Sequence, residues 1–268
     1  MLKKMVLVST LMIMFSGMVA PVFALSEDWT AGNFNPPPPY SSTGLDVTNT
    51  ATSSDYKIML IPPIHTIDMP GGNRLTMDES GGSTAGMFFR YMNRPFHYEE
   101  DCVLTTTVYA PPPGSTGAPG ISARYLEGAY NGYFAFVDYR NSSPNYGSLV
   151  LAWGGAPVAN EPIAGFSNTK DYFLTFRLLE GLLIAWVDEI GGPSGLEARI
   201  ERPSGAFPFG YAGVFTFPDP FSTNPTSVEF GPWSIVATPE PGSIALMLLS
   251  LQSLLLLRRR GPSKRIAG

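Results

Sequence analysis

The stretch Tyr172-Phe173-Leu174-Thr175-Phe176-Arg177-Leu178-Leu179-Glu180-Gly181-Leu182-Leu183-Ile184-Ala185-Trp186-Val187-Asp188 decides the fold. Tyr172, Leu174, Phe176 and Leu178 alternate with Thr175 and Arg177, a period of two that turns one face of a strand inward. Glu180-Gly181 then makes a two-residue turn into a second apolar run over 182–187, which predicts a hairpin. Asp188 and Gly191-Gly192-Pro193 open the loop that ends it.

The same grammar extends in both directions. Short β-like runs divided by Gly, Pro, Asn and Ser are predicted over 56–61, 74–77, 87–92, 102–110, 120–125, 133–139, 148–153, 172–179, 182–187, 197–201, 209–217 and 227–236. No run of ten or more residues in the body shows helical spacing without breakers, so the fold is all-β. A dozen strands of this length cannot lie in one open sheet without curling, which predicts two packed sheets over 55–237. A Pro-rich entry segment over 25–54 precedes them, with Pro36 to Pro39 as a stiff spacer.

Three runs carry a resemblance. Pro119-Gly120-Ile121-Ser122-Ala123-Arg124-Tyr125, Gly132-Tyr133-Phe134-Ala135-Phe136-Val137-Asp138-Tyr139 and Gly147-Ser148-Leu149-Val150-Leu151 look like the middle of concanavalin A-like lectin/glucanase domains. The hairpin ending in Val187-Asp188 resembles their paired strands, and Tyr211-Ala212-Gly213-Val214-Phe215 with Val228-Glu229-Phe230 resembles their closing ones. The resemblance implies a jelly-roll-type two-sheet sandwich. That architecture hosts binders, hydrolases and structural modules alike, so it names no activity.

Both chain ends read as export signals. Lys3 and Lys4 precede an apolar run over 5–15, and Val22-Phe23-Ala24 offers small residues for signal peptidase. A signal peptide over 1–24 is expected, cut between Ala24 and Leu25. At the other end, Thr238-Pro239-Glu240-Pro241-Gly242-Ser243 leads into an apolar run over 244–257 and then Arg258-Arg259-Arg260. Pro239 and Pro241 forbid helix and extend Glu240, so that a processing enzyme can grip the segment as a strand. The run would span roughly 21 Å of a roughly 30 Å hydrocarbon core as a transmembrane helix, with the arginines snorkelling. This tail, 238–268, resembles the PEP-CTERM sorting signal of Gram-negative, exopolysaccharide-producing bacteria. The resemblance implies an exosortase-like enzyme as partner, passage through the inner membrane, and delivery to the cell envelope, cell surface or extracellular matrix. An ordinary C-terminal anchor is the alternative reading. Either way the arginines stay cytoplasmic and the body lies outside.

The body holds 10 Lys and Arg against 21 Asp and Glu, a formal charge near −11. Nucleic acid and acidic lipid are thereby disfavoured as partners, and neutral glycans or calcium are not. Cys102 is the sole cysteine, so no intramolecular disulfide forms, and a buried inert thiol at a strand start is expected.

Chemistry-bearing constellations are few. A retaining glucanase of this fold would carry E-x-D-x-x-E on one strand. The nearest match is Glu99-Glu100-Asp101-Cys102-Val103-Leu104, with Leu104 where the last carboxylate is needed. Glu99, Glu100 and Asp101 are calcium candidates by ligand type, and Asp138 and Asp188 are weaker ones at strand ends. His65 and His97 are too far apart to found a zinc set. No G-x-S-x-G elbow, phosphate loop or dinucleotide fingerprint is present. Trp153, Tyr146 and Tyr130 lie in or beside Gly/Asn-rich segments and are the candidate glycan contacts; Trp186 and Trp233, in apolar strands, are expected in the core.

The sequence therefore points to an exported, non-catalytic envelope protein with a lectin-like sandwich that associates with exopolysaccharide. The alternative is a polysaccharide-processing glycoside hydrolase of the same fold. If the tail is a sorting signal, Glu240→Ala leaves a full-length, membrane-retained protein. Cell fractionation with immunoblotting checks this, and normal release of the variant would refute it.

Overall fold

The computed structural model describes residues 24–27, 29, 34–35, 47–51, 55–60, 66–79, 87–91, 102–125, 131–154, 156–179, 181–192, 196–205, 207, 210–217, 219, 222 and 224–237. The strands lie in one compact unit, Ala24–Val236. The signal peptide up to Phe23, the sorting tail and its apolar run over 244–257 lie outside the described residues. Among the described residues no helix is long and apolar enough to cross a membrane.

Seventeen strands occur among the described residues: β1 (Ala24–Glu27), β2 (Phe34–Asn35), β3 (Val47–Ala51), β4 (Asp55–Leu60), β5 (Thr66–Asp68), β6 (Leu75–Glu79), β7 (Met87–Tyr91), β8 (Cys102–Tyr109), β9 (Ala118–Tyr125), β10 (Tyr133–Val137), β11 (Ser148–Trp153), β12 (Ala156–Pro162), β13 (Tyr172–Leu179), β14 (Leu182–Glu189), β15 (Leu196–Pro203), β16 (Tyr211–Phe217) and β17 (Thr226–Ala237). They form two sheets, the two-layer all-β sandwich that the patterning predicts. The first runs β15-β14-β13-β8-β17-β6-β5 with β1 also on β17, and the second runs β12-β11-β10-β9-β16-β7-β4-β3-β2.

The deciding hairpin forms as read. β13 and β14 pair antiparallel from Tyr172↔Glu189 to Leu179↔Leu182. Gly181 turns the corner at φ 81°, a left-handed conformation that glycine adopts without a Cβ clash. Tyr172, Leu174, Phe176 and Leu178 are buried. They meet the inward set of β8, where Phe176 lies opposite Leu104 and Leu178 opposite Cys102. The Cys102 thiol is buried, as its place at the strand start predicts.

Two neighbouring strands of the second sheet are buried on both faces. Every residue of β10 and the first five of β11 are buried. Tyr139, just past β10, packs against the inward-facing Tyr172 at 6.3 Å between ring centroids. Alternation therefore aims Tyr133, Ala135 and Val137 at the first sheet. Phe134 and Phe136 point the other way and join Ala118, Val150, Ala152 and Phe215 in a separate cluster, with Phe217 packed against it. Edge-on ring pairs fix it, Phe134 to Phe215 at 5.1 Å and Phe136 to Phe217 at 5.4 Å. Each such ring contributes about 1.5–3 kcal/mol through burial.

Five strands were not among those read from sequence. β12 is largely exposed along its length, so it has no buried face to write an alternation. β1 and β3 fall in the stretch read as an entry segment, and tertiary partners define them: β1 pairs with β17 through Ala24↔Val236, and β3 with β4 through Val47↔Ile58. The short β2 and β5 are likewise defined by pairing. Trp186 corrects the core assignment. Leu183, Ala185 and Val187 form one buried face of β14, and Trp186 lies on the other beside the buried Ile184, itself only half-buried. Trp233 is in the core as expected. Along β17 the buried set shifts from Thr226, Val228 and Phe230 to Trp233 and Ile235. The strand thus changes phase at Gly231-Pro232, as a β-bulge does.

Gly120 shows how tightly the second sheet closes. It pairs with Phe136 and Phe215, and a Cβ there would sit 2.3 Å from the Ala135 carbonyl oxygen and 2.5 Å from the Phe136 Cβ. Gly120→Ala is expected to cost about 1–3 kcal/mol. Urea unfolding checks this, as a lower midpoint at unchanged slope.

Candidate functional site

With β10 and β11 sealed on both faces, the loops at their ends carry the polar surface. Residues 110–116 follow β8, 138–147 join β10 to β11, and 163–171 join β12 to β13. A cleft of about 440 Å³ opens between these loops. Its lining comprises Ala110, Pro111, Pro112, Pro113, Gly114, Ser115 and Thr116 from the first, Tyr139, Asn141 and Tyr146 from the second, and Asn168 and Thr169 from the third.

The 138–147 loop hangs on two buried carboxylates. Asp138 is fully buried. Its Oδ1 accepts hydrogen bonds from the Arg140 backbone N–H at 3.0 Å and Arg140 Nε at 2.9 Å. Its Oδ2 accepts from Arg140 Nη2 at 2.8 Å and Ser143 Oγ at 2.7 Å. Asp219, also buried, accepts from the Ser142 hydroxyl and backbone N–H. The loop closes on the ladder through Gly147 N–H to the Asp138 carbonyl at 2.8 Å and Asp138 N–H to the Ser148 carbonyl at 3.0 Å.

The other walls are tied to this loop. Thr116 Oγ1 donates to the Tyr139 carbonyl at 3.2 Å, and Tyr139 Oη to the Lys170 carbonyl at 2.9 Å. Asp171 Oδ1 accepts from the Ala110 N–H at 2.9 Å. Lys170 Nζ reaches Glu189 Oε2 at 2.7 Å and the Gly165 carbonyl at 2.8 Å. Beneath the cleft, Phe166 stacks parallel to Tyr172 at 6.1 Å and takes Tyr146 edge-on at 5.3 Å. Tyr146 itself stays 43% exposed, an aromatic surface held in place but open to solvent.

The sequence-derived candidates separate in space. Tyr146 lines the cleft. Trp153 ends β11, roughly 17 Å of strand away from the β11 start, where it is half-buried with Tyr133 edge-on at 6.5 Å. Tyr130, Glu99, Glu100, Asp101, His65 and His97 lie outside the described residues. Asp138, a calcium candidate by type, is a buried loop anchor paired with Arg140. Asp188 is half-buried, and burial with the nearby Glu197 charge raises its carboxyl pKa. Leu104, where a glucanase pattern needs its last carboxylate, is buried in the core. Among the described residues no group of three or more His, Cys, Asp or Glu is placed to hold a metal. Asn168, Thr169 and the Pro111-Pro112-Pro113 wall were not singled out from sequence. Only the proline run is a local signal; the rest is an assembly of three distant loops.

No protein-family model matches the sequence, and no curated protein matches it. Solved structures do match. The winged bean acidic lectin, in complex with methyl-α-D-galactose, aligns at TM-score 0.54 and 6% identity over 81% of this chain and 98% of its own. Lectin I from Ulex europaeus, with the methyl glycoside of α-L-fucose, aligns at 0.50 and 8% over 82% and 99%. A protein of unknown function from Shewanella oneidensis MR-1 aligns at 0.53 and 12% over 81% and 86%. The likeness is one of fold: the chain is a concanavalin A-like two-sheet sandwich.

Burial pushes the Tyr172 phenol up to about 12 from 10.0 and raises Tyr139 well above 10.0. The unfolded chain loses these protons near pH 10 while the folded one keeps them. Their contribution is therefore complete below pH 10 and is lost as pH rises toward 12 and beyond. Tyr172→Phe is expected to make the fall in urea midpoint between pH 9 and pH 12 shallower. An unchanged slope would remove Tyr172 from the alkaline transition.

Proposed function

We propose that this chain is an exported, non-catalytic envelope or matrix protein whose sandwich binds a neutral polysaccharide in the cleft beside Tyr146. One observation carries the reading: the cleft lining contains no ionisable acid or base other than two tyrosines, and is otherwise proline, small residues, amides and hydroxyls. Its volume, about 440 Å³, is that of a small-ligand site. Asn141, Asn168, Thr169 and Ser115 offer both donors and acceptors, which suits sugar hydroxyls that do the same. Tyr146 offers a ring to the apolar face of a sugar. A lining without carboxylates supplies neither the acid nor the nucleophile of glycoside hydrolysis, which favours binding over turnover. The body charge near −11 disfavours polyanionic ligands.

The lectin neighbours support the reading by fold, and their sugars are theirs. Export rests on the sequence of the two ends. In this proposal Ala24 and Leu25 flank the signal-peptidase cut. Pro239, Glu240 and Pro241 present the tail to an exosortase-like enzyme, and Arg258, Arg259 and Arg260 set its orientation.

Calorimetric titration of the protein with a soluble neutral glucan and with the producing organism's exopolysaccharide tests the site. Saturable binding is expected without release of reducing ends. Tyr146→Ala should weaken it at least tenfold, about 1.4 kcal/mol, while Trp153→Ala at the far end of β11 leaves it unchanged. Loss only in Trp153→Ala would move the site, and sugar release would replace binding by hydrolysis.

A further inference from the structure

The loop that carries Asn141 and Tyr146 folds around a fully buried carboxylate, Asp138. An ionised carboxylate has about four lone-pair directions, and each one of Asp138 is occupied. Oδ1 takes the Arg140 backbone N–H and Nε; Oδ2 takes Arg140 Nη2 and Ser143 Oγ. The guanidinium meets the carboxylate side-on through two nitrogens, the geometry that a point charge cannot reproduce. Its carbon also lies 5.6 Å from the Phe136 ring centroid, over the apolar cluster of the second sheet. Ser143, once oriented by Asp138, accepts from the Asn145 N–H at 3.1 Å, and its carbonyl accepts from the Tyr146 N–H at 3.2 Å. A continuous set of hydrogen bonds thus runs from Arg140 to the residue whose ring faces the cleft.

We propose that Arg140 is the built-in cation of the binding loop: it saturates Asp138 in the position where a divalent ion would otherwise be needed to hold a buried carboxylate, and so preforms the cleft wall without metal. Arg140 is a positioning residue. Its own side chain does not line the cleft, and its effect reaches ligand through Ser143 and Tyr146. The functional sense of the proposal rests on the cleft being the binding site, but its structural content does not.

Two measurements on the full-length protein test it without any glycan, so failure here is distinct from failure of the binding reading. The first is titration with calcium chloride after chelator treatment. No saturable binding at 138–147 and no shift in thermal midpoint are expected; saturable calcium binding lost in Asp138→Asn would overturn the proposal. The second is amide hydrogen exchange. Arg140→Gln is expected to speed exchange over 141–147 at least tenfold while β13 and β14 keep their protection, and Arg140→Lys, which keeps the charge but not the fork, should recover only part of it. Unchanged loop exchange in Arg140→Gln, or full recovery with lysine, would overturn the assignment of the guanidinium as the element that shapes the loop.

Discussion

The central constraint on this molecule is that two neighbouring strands of its second sheet, β10 and β11, are buried on both faces. β10 and β11 leave nothing for water to touch except their ends, because one face meets the first sheet and the other carries the cluster in which Phe134 and Phe136 pack with Phe215 and Phe217. Gly120, paired beside β10, shows how little space is left, since the Ala135 carbonyl and the Phe136 Cβ leave no room for a Cβ. Strands of this kind cannot present side chains to solvent. Open polar surface is displaced to the loops, and the loops must be ordered by something other than hydrophobic burial.

Polar anchors supply that order. Asp138 and Asp219 sit at the boundary between sealed sheet and open loop, and both are buried carboxylates spent on their own backbone and hydroxyl neighbours. A buried charge is tolerable only when its hydrogen-bonding capacity is filled. Filling it fixes the course of the chain over 138–147. The rim above is then left to uncharged groups, which is why a protein with so acidic a body offers an electrically quiet cleft.

The legible and illegible parts of the sequence divide along physical lines. The strands β13 and β8 could be read because each turns one apolar set inward, and alternation is the trace of that asymmetry. β12 could not, because an exposed edge strand carries no such trace. Trp186 was misassigned because apolar residues fill both faces of β14, and only the register decides which of them turn outward. Asp138 reads from sequence as a strand-end calcium candidate because nothing in the local pattern announces that Arg140 turns back two residues to meet it. Of the aromatic candidates, Tyr146 lines the cleft and Trp153 is carried to the opposite end of β11. The cleft was invisible as a whole, since its walls come from segments separated by some thirty residues each and meet only through the fold.

The pairing of β1 with the end of β17 has a mechanical consequence. Ala24 lies opposite Val236, and Glu27 opposite Trp233, so the two strands depart from the sandwich side by side, at the same end of one antiparallel ladder. A pull applied between Ala24 and Val236 would load those hydrogen bonds in sequence, opening them as a zipper, where a shear geometry would load them together. The body would thus yield first at this seam, under a small force, while the aromatic layers and the cleft remained intact.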